Sequence, residues 1–80
     1  MNWRGRIVAD PGVLSGKPVI QGTRLSVDFI LGLLAQGWKA EDVEKNYPGV
    51  TPDDIAACLQ YASEVLAEEK VYPLEPASRP

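Results

Sequence analysis

The spacing of apolar residues changes at Ser26, and this change constrains the fold more than any other feature of the sequence. Before Ser26, short apolar pairs stand between turn formers: Ile7-Val8, Val13-Leu14 and Val19-Ile20. After Ser26, apolar side chains recur every three or four residues, which is the period of an amphipathic helix. We therefore predict short extended segments followed by helices.

A β-hairpin is predicted within the extended region. Only Gln21-Gly22 separates Val19-Ile20 from Thr23-Arg24-Leu25, and a glycine in such a connection supplies the positive φ that a tight turn needs. A two-stranded hairpin is marginally stable alone, so we expect it to pack on the helices. Residues 1–25 are thus assigned to an N-terminal arm and hairpin.

Three helices are predicted between residues 26 and 70. The first begins at an N-cap, Ser26, and ends at Gln36-Gly37. The second covers about Ala40 to Asn46 and is stopped by Tyr47-Pro48-Gly49. The third begins at Thr51-Pro52-Asp53-Asp54, where a Thr cap, a Pro in the first position and an acidic third position coincide.

The apolar faces of these helices predict one shared core. On the third helix, a single stripe is expected to be buried over about three turns: Ile55, Cys58, Leu59, Ala62, Val65 and Leu66. The whole predicted core comprises Val27, Ile30, Leu31, Leu34, Val43, Tyr47, Ile55, Leu59, Ala62 and Leu66. Three helices with short connections are typical of a mainly α, tri-helical helix-turn-helix domain, here preceded by the hairpin. Residues 71–80 contain three prolines and are expected to form an extended tail.

The composition narrows the functional classes. The 80 residues include no His and one Cys, so the commonest general base and the usual ligands of a zinc site are missing. We expect no enzymatic activity, metal or cofactor. No apolar run approaches the ~20 residues that span a bilayer, and the N-terminus has no apolar segment resembling a signal peptide. We therefore expect a cytoplasmic protein without membrane contact.

The charges are divided unevenly along the chain. Residues 1–25 hold Arg4, Arg6, Lys17 and Arg24 against Asp10, a net charge of +3, whereas residues 26–80 hold 4 basic and 10 acidic residues, a net charge of −6. The four cations are the candidate DNA-binding residues, acting as phosphate clamps. For Arg24, a local salt bridge is an equally weighted alternative.

Several side chains have simpler structural interpretations. Asp53 and Asp54 are interpreted as capping residues, and their carboxylates disfavour base reading by the third helix. Trp38 is expected to pack in the core or an interface, and Cys58 to be a buried, inert thiol. Trp3 is different, because it lies in a polar arm without a periodic partner, and an exposed Trp of this kind marks a protein contact.

Several segments together resemble a known bacterial family. They are Gly16–Leu25 (GKPVIQGTRL), Ile30-Leu31, Leu34, Gly37, Glu41-Asp42-Val43, Tyr47-Pro48, Thr51 and Asp54-Ile55. This pattern, over about residues 7 to 69, resembles the family catalogued as domain of unknown function 433. The resemblance implies a homeodomain-like helix-turn-helix fold. For many members it also implies an antitoxin of the VapB kind in a type II toxin-antitoxin pair, whose toxin looks like a PIN-domain ribonuclease.

Two functional hypotheses follow from the residues and the resemblance. The first is an antitoxin that neutralises a PIN-like nuclease and, as a complex, binds its own operator DNA. Its partner-binding candidates are Trp3 and the tail residues Val71, Tyr72 and Leu74, near acidic side chains that suit a basic RNA-binding groove. The alternative is a stand-alone DNA-binding transcriptional regulator. In both cases we expect a homodimer, formed through the third helix or the N-terminal strands, because a chain of this size buries only about 60 to 65% of its unfolded surface.

Overall fold

A computed structural model describes residues 2–68 of the chain. The elements follow in the order β1 (Ile7–Ala9), a short 3-10 helix (Leu14–Gly16), β2 (Pro18–Ile20), α1 (Val27–Ala35), α2 (Ala40–Asn46) and α3 (Pro52–Glu68). This architecture confirms a mainly α, three-helix bundle preceded by a pair of antiparallel strands.

The helices begin and end where their local sequence signals predict. The hydroxyl of Ser26 accepts the backbone N–H of Phe29 at 3.2 Å and so caps α1. At the start of α3, Thr51 and Asp54 cap each other: the Asp54 N–H donates to Thr51 Oγ1 at 3.1 Å, and the Thr51 N–H donates to Asp54 Oδ2 at 3.0 Å. This reciprocal pair is the capping box that the Thr-Pro-Asp-Asp sequence predicts.

The start of α2 is stabilised differently. Its N-cap, Lys39, offers no side-chain acceptor, so the predicted helix lacks the usual cap. Instead, the backbone N–H of Lys39 donates to Asp42 Oδ2 at 2.7 Å. The acidic residue in the first turn therefore provides half of a capping box, and its charge also interacts favourably with the helix dipole.

The strand pairing differs from the predicted hairpin. Val19-Ile20 pairs along its length with β1, and Ile7 lies opposite Ile20. Towards the predicted second strand it makes a single antiparallel bridge, between Val19 and Ser26. The predicted turn is present: the Thr23 N–H donates to the Ile20 carbonyl at 3.0 Å, and the Ile20 N–H donates to the Leu25 carbonyl at 3.0 Å. Residues 23–25 form no strand, however, because the strand that pairs fully with Val19-Ile20 is β1, and this pairing buries Ile7 and Ile20 together.

The core lies among the strand pair, α1, α2 and the first half of α3. The buried apolar residues are Ile7, Val19, Ile20, Val27, Ile30, Leu33, Val43, Val50, Ile55, Ala57 and Cys58. This confirms the predicted burial of Val27, Ile30, Val43, Ile55 and Cys58, while Leu31, Leu34 and Tyr47 are partly buried against the core.

Three residues of the stripe that was predicted to be buried on α3 are exposed. Leu59 is 51% and Leu66 is 60% accessible to solvent, and Val65 is 39% accessible. The buried residues of α3 end at Cys58, although the helix continues to Glu68. The helical period identified an apolar face correctly, but it carries no information about how far the neighbouring elements cover that face. The prediction that Leu59 and Leu66 are core residues was therefore wrong.

None of the helices in residues 2–68 is sufficiently long and apolar to traverse a lipid bilayer.

Candidate functional site

The N-terminal arm is docked on the second half of α3. The indole Nε1 of Trp3 donates to Glu64 Oε1 at 2.9 Å, and the Trp3 ring meets Tyr61 edge to face, with 4.8 Å between centroids. Trp3 is half-buried, so the expectation of a free arm with an exposed Trp was wrong. We call Trp3, Arg4, Tyr61 and Glu64 the arm–helix surface.

Charge and aromatic contacts strengthen this surface. The guanidinium carbon of Arg4 lies 4.5 Å from the centre of a Trp3 ring, and Arg4 Nη1 lies 3.9 Å from Glu64 Oε1. The hydrogen bond from Trp3 is the largest cause that lowers the pKa of Glu64, followed by the bond from Gln60 Nε2 at 2.9 Å. The Glu64 carboxylate therefore stays ionised at neutral pH.

Arg6 is engaged with the start of α3. Its Nη1 lies 3.1 Å from Asp54 Oδ1, and its Nη2 lies 3.5 Å from Asp53 Oδ2. The Asp54 side chain is only 11% exposed, and it also accepts the Thr51 N–H. The predicted capping role of Asp54 is thus confirmed, and Arg6 neutralises the carboxylates that would otherwise dominate this helix end.

The remaining two candidate DNA-binding residues lie elsewhere. Lys17 Nζ lies 3.3 Å from Asp28 Oδ2 in an exposed pair, which contributes little to stability because solvent screens it. The pKa of Asp28 is lowered, first by a hydrogen bond from the Ser26 hydroxyl and then by Lys17. Arg24 is exposed in the turn after Gly22 and forms no ion pair within residues 2–68.

The four cations therefore do not form one open basic edge. Three of them face carboxylates at separate places: Arg4 at Glu64, Arg6 at Asp53 and Asp54, and Lys17 at Asp28. Sequence reasoning identified these cations but missed their partners, because the partners are distant in the chain. The three partner-binding candidates of the tail, Val71, Tyr72 and Leu74, lie outside the described residues.

An apolar groove, missed by the sequence analysis, lies between α1, β2 and α3. It has a volume of about 440 Å³, and its apolar walls include Val27, Leu31, Tyr61, Ala62, Val65 and Leu66. The Lys17–Asp28 pair lies at its edge. The apolar stripe of α3 could have indicated this groove, but the sequence analysis assigned the whole stripe to the core.

The single cysteine of the sequence, Cys58, has a buried thiol. Burial raises the pKa of the Cys58 thiol to about 11, with a smaller contribution from the negative charge of Asp54, so Cys58 is a poor nucleophile. In the part of the chain that the structure describes, no three His, Cys, Asp or Glu side chains are grouped as metal ligands would be.

Comparison with known proteins identifies the family but no characterised relative. No curated protein matches the sequence. The fold is similar to the crystal structure of a DUF433 member protein from Anabaena variabilis, with a TM-score of 0.74 and 29% sequence identity. The match covers 81% of this chain and 64% of that protein, so the chain spans less than two thirds of its length. A family model described as a protein of unknown function (DUF433) matches residues 7–62, and the chain therefore belongs to the DUF433 family.

Proposed function

We propose that this chain is a non-catalytic antitoxin that binds and neutralises a PIN-like ribonuclease. The observation that carries the proposal is the internal pairing of Arg4, Arg6 and Lys17 with carboxylates. A carboxylate beside a cation repels phosphate and offsets the attraction of that cation, so a paired cation is a weaker phosphate clamp than an unpaired one. The chain is therefore better suited to a protein partner than to nucleic acid.

The rest of the described surface is acidic. Residues 26–68 contain eight acidic side chains against Lys39 and Lys45. A ribonuclease needs a basic groove to hold RNA phosphates, and an acidic partner is steered toward such a groove by complementary potential. An antitoxin that occupies this groove blocks RNA by competing for the same cations.

The arm–helix surface offers an ordered contact at one end of this acidic region. Trp3 is already fixed by Tyr61 and Glu64, so little side-chain entropy is lost when a partner covers it. Trp and Tyr are also enriched among residues that dominate protein interfaces. Glu68 lies one helical turn beyond Glu64, at the end of α3 from which the chain continues to the tail candidates.

The experiment is affinity purification of the tagged full chain from its host lysate, with nuclease treatment to remove proteins bridged by DNA or RNA. Two charge reversals provide a matched pair: Glu68→Lys on α3 and Glu41→Lys on α2, both at exposed positions. We expect the wild type and Glu41→Lys to recover a near-stoichiometric small ribonuclease and Glu68→Lys to recover less. Recovery of the chain alone contradicts the proposal.

A second candidate function is a stand-alone homodimeric DNA-binding regulator. It is favoured by Arg24, which lies exposed in the turn at residues 21–24 and has no carboxylate partner within residues 2–68. A regulator of this kind would bind DNA without a protein partner and with a steep dependence on salt concentration. The antitoxin would bind DNA weakly alone and more tightly in its complex.

A further inference from the structure

We infer that the outward face of α3 is an isologous interface with a second copy of this chain. Among the large apolar residues of the described range 2–68, Leu59 and Leu66 are the most exposed, at 51% and 60% accessibility. They are seven residues apart, which places them two turns apart on the same side of the helix. This inference is independent of the proposed nuclease partner.

The residues beside these leucines are small and uncharged. At about 100° per residue, the side chains from Ala56 onward that share this half of α3 are Ala56, Ala62, Ser63 and Ala67. Ile55 also falls on this half, but it is buried in the core. The carboxylates lie on the other half: Glu64 is rotated by about 140° from Leu59, and Glu68 by about 180°. The outward face of α3, comprising Ala56, Leu59, Ala62, Ser63, Leu66 and Ala67, is therefore uncharged.

This pattern fits a second copy better than a basic protein. In an isologous interface the same surface is used twice, so a charged face would bring like charges together. The outward face of α3 avoids that cost, and its small residues let two helices approach closely around the leucines. A basic partner would find no carboxylate on this face with which to pair. The proposed dimer face and the acidic surface proposed for the nuclease therefore lie on different sides of α3.

The adjoining groove supplies the additional area that a stable dimer needs. An interface of standard size buries about 800 Å² on each partner, more than one face of a single short helix provides. The groove of about 440 Å³ opens beside Leu66 and continues the apolar surface to Leu31 and Val27 of α1. Together, the outward face of α3 and this groove form one continuous apolar surface.

The sequence of the face also indicates how the two helices are arranged. Leu59 and Leu66 are placed symmetrically about Ala62 and Ser63. An antiparallel pair therefore sets Leu59 of one copy beside Leu66 of the other, with Ser63 close to the twofold axis. This arrangement also sets the two helix dipoles antiparallel, so that the positive end of each helix lies beside the negative end of the other, which is favourable.

The first test is the mass of the full chain in solution, measured by sedimentation equilibrium over micromolar concentrations. The double variant Leu59→Lys/Leu66→Lys adds two charges to the face at exposed positions, so the fold is retained and circular dichroism verifies this. Leu14→Lys is the control, because Leu14 is 37% exposed and lies in the 3-10 helix, away from α3. We expect dimers for the wild type and the control, and a dimer dissociation constant at least tenfold higher for the double variant.

The second test is a crosslink across the twofold axis. Ser63→Cys places a thiol near its symmetry mate, within the Cα separation of about 4.4 to 6.8 Å that a disulfide spans, whereas Glu41→Cys on α2 places one on an exposed surface away from this face. The natural Cys58 is fully buried and does not compete. We expect mild oxidation to link Ser63→Cys into covalent dimers and not Glu41→Cys. A monomeric wild type, or a double variant that dimerises as well as the wild type, overturns the inference.

Discussion

Arg6 Nη1 lies 3.1 Å from Asp54 Oδ1 and joins the N-terminal arm to the first turn of α3 across 48 residues of sequence. Asp54 uses its other oxygen to accept the N–H of Thr51, so one carboxylate caps a helix and anchors the arm. Because the whole Asp54 residue is only 7% exposed, these partners have to compensate for the lost hydration of its carboxylate. The Arg6–Asp54 pair therefore holds the N-terminal arm against the start of α3.

Removal of Arg6 should destabilise the fold. We expect Arg6→Ala to lower the free energy of unfolding by about 1–3 kcal/mol, since a charge-assisted bond to a buried carboxylate is lost. Arg24→Ala, at an exposed position without such a bond, should change it by less than about 0.5 kcal/mol. Urea denaturation followed by circular dichroism measures both values. Equal changes in the free energy of unfolding for the two substitutions would show that the Arg6–Asp54 pair does not stabilise the fold.

Docking of the arm on α3 should depend on pH. The pKa of Glu64 is lowered from its ordinary value of 4.5, mainly by the bond from Trp3. A carboxylate with a lowered pKa contributes stability that is fully present above about pH 4.5 and is lost as the pH falls through its lower, folded value. We expect Trp3 fluorescence to change in that acidic range.

Two variants isolate this transition. Glu64→Gln removes the titrating group, so the acidic fluorescence change should disappear. Trp3→Phe leaves only the signal of Trp38 and supplies the background to subtract. An unchanged transition in Glu64→Gln would mean that another group controls the docking of the arm.

The thiol of Cys58 should be inert in the folded protein. Burial raises its pKa to about 11, so almost no thiolate exists near pH 8, and the side chain is also shielded from reagents. We expect alkylation by iodoacetamide to be at least a hundredfold slower in the folded chain than in urea. The raised pKa also predicts that stability declines as the pH increases from about 9 toward 11, because the unfolded thiol ionises first. Rapid alkylation under native conditions would contradict this burial.

The isolated chain should bind duplex DNA weakly. A protein releases about 0.9 counterions for each phosphate that it neutralises, and Arg24 alone among the four candidates has no carboxylate partner within residues 2–68. We expect the logarithm of the binding constant to fall with the logarithm of salt concentration with a slope of about −1 per chain. Fluorescence anisotropy measures this slope, and Arg24→Ala should reduce it. A much steeper slope that also depends on Arg4, Arg6 and Lys17 would favour the stand-alone regulator.

Local signals in the sequence predicted the helices well. Ser26 caps α1, and the pair Thr51 and Asp54 caps α3, because these bonds join residues three apart and are encoded within one turn. The α2 bounds of Ala40–Asn46 also match the prediction. Short-range chemistry was therefore sufficient for the three-helix bundle and for the capping role of Asp54.

Long-range contacts could not be predicted in the same way. The Trp3–Glu64 bond spans 61 residues. The full strand partner of β2 is β1, whereas the sequence predicted the nearer segment at residues 23–25. Local patterns such as helical period and capping residues do not indicate which of several apolar or charged residues will come into contact. The exposure of Leu59 and Leu66 was not predicted for the same reason, since the helical period shows an apolar face but not the element that covers it.

Neutralisation of a ribonuclease by this chain is tested most directly by measuring RNA cleavage by the captured partner during titration with the purified chain. We predict that cleavage stops near equimolar addition of the wild type or Glu41→Lys, and that Glu68→Lys requires several-fold more protein. Undiminished cleavage in the presence of excess wild-type chain would contradict the account.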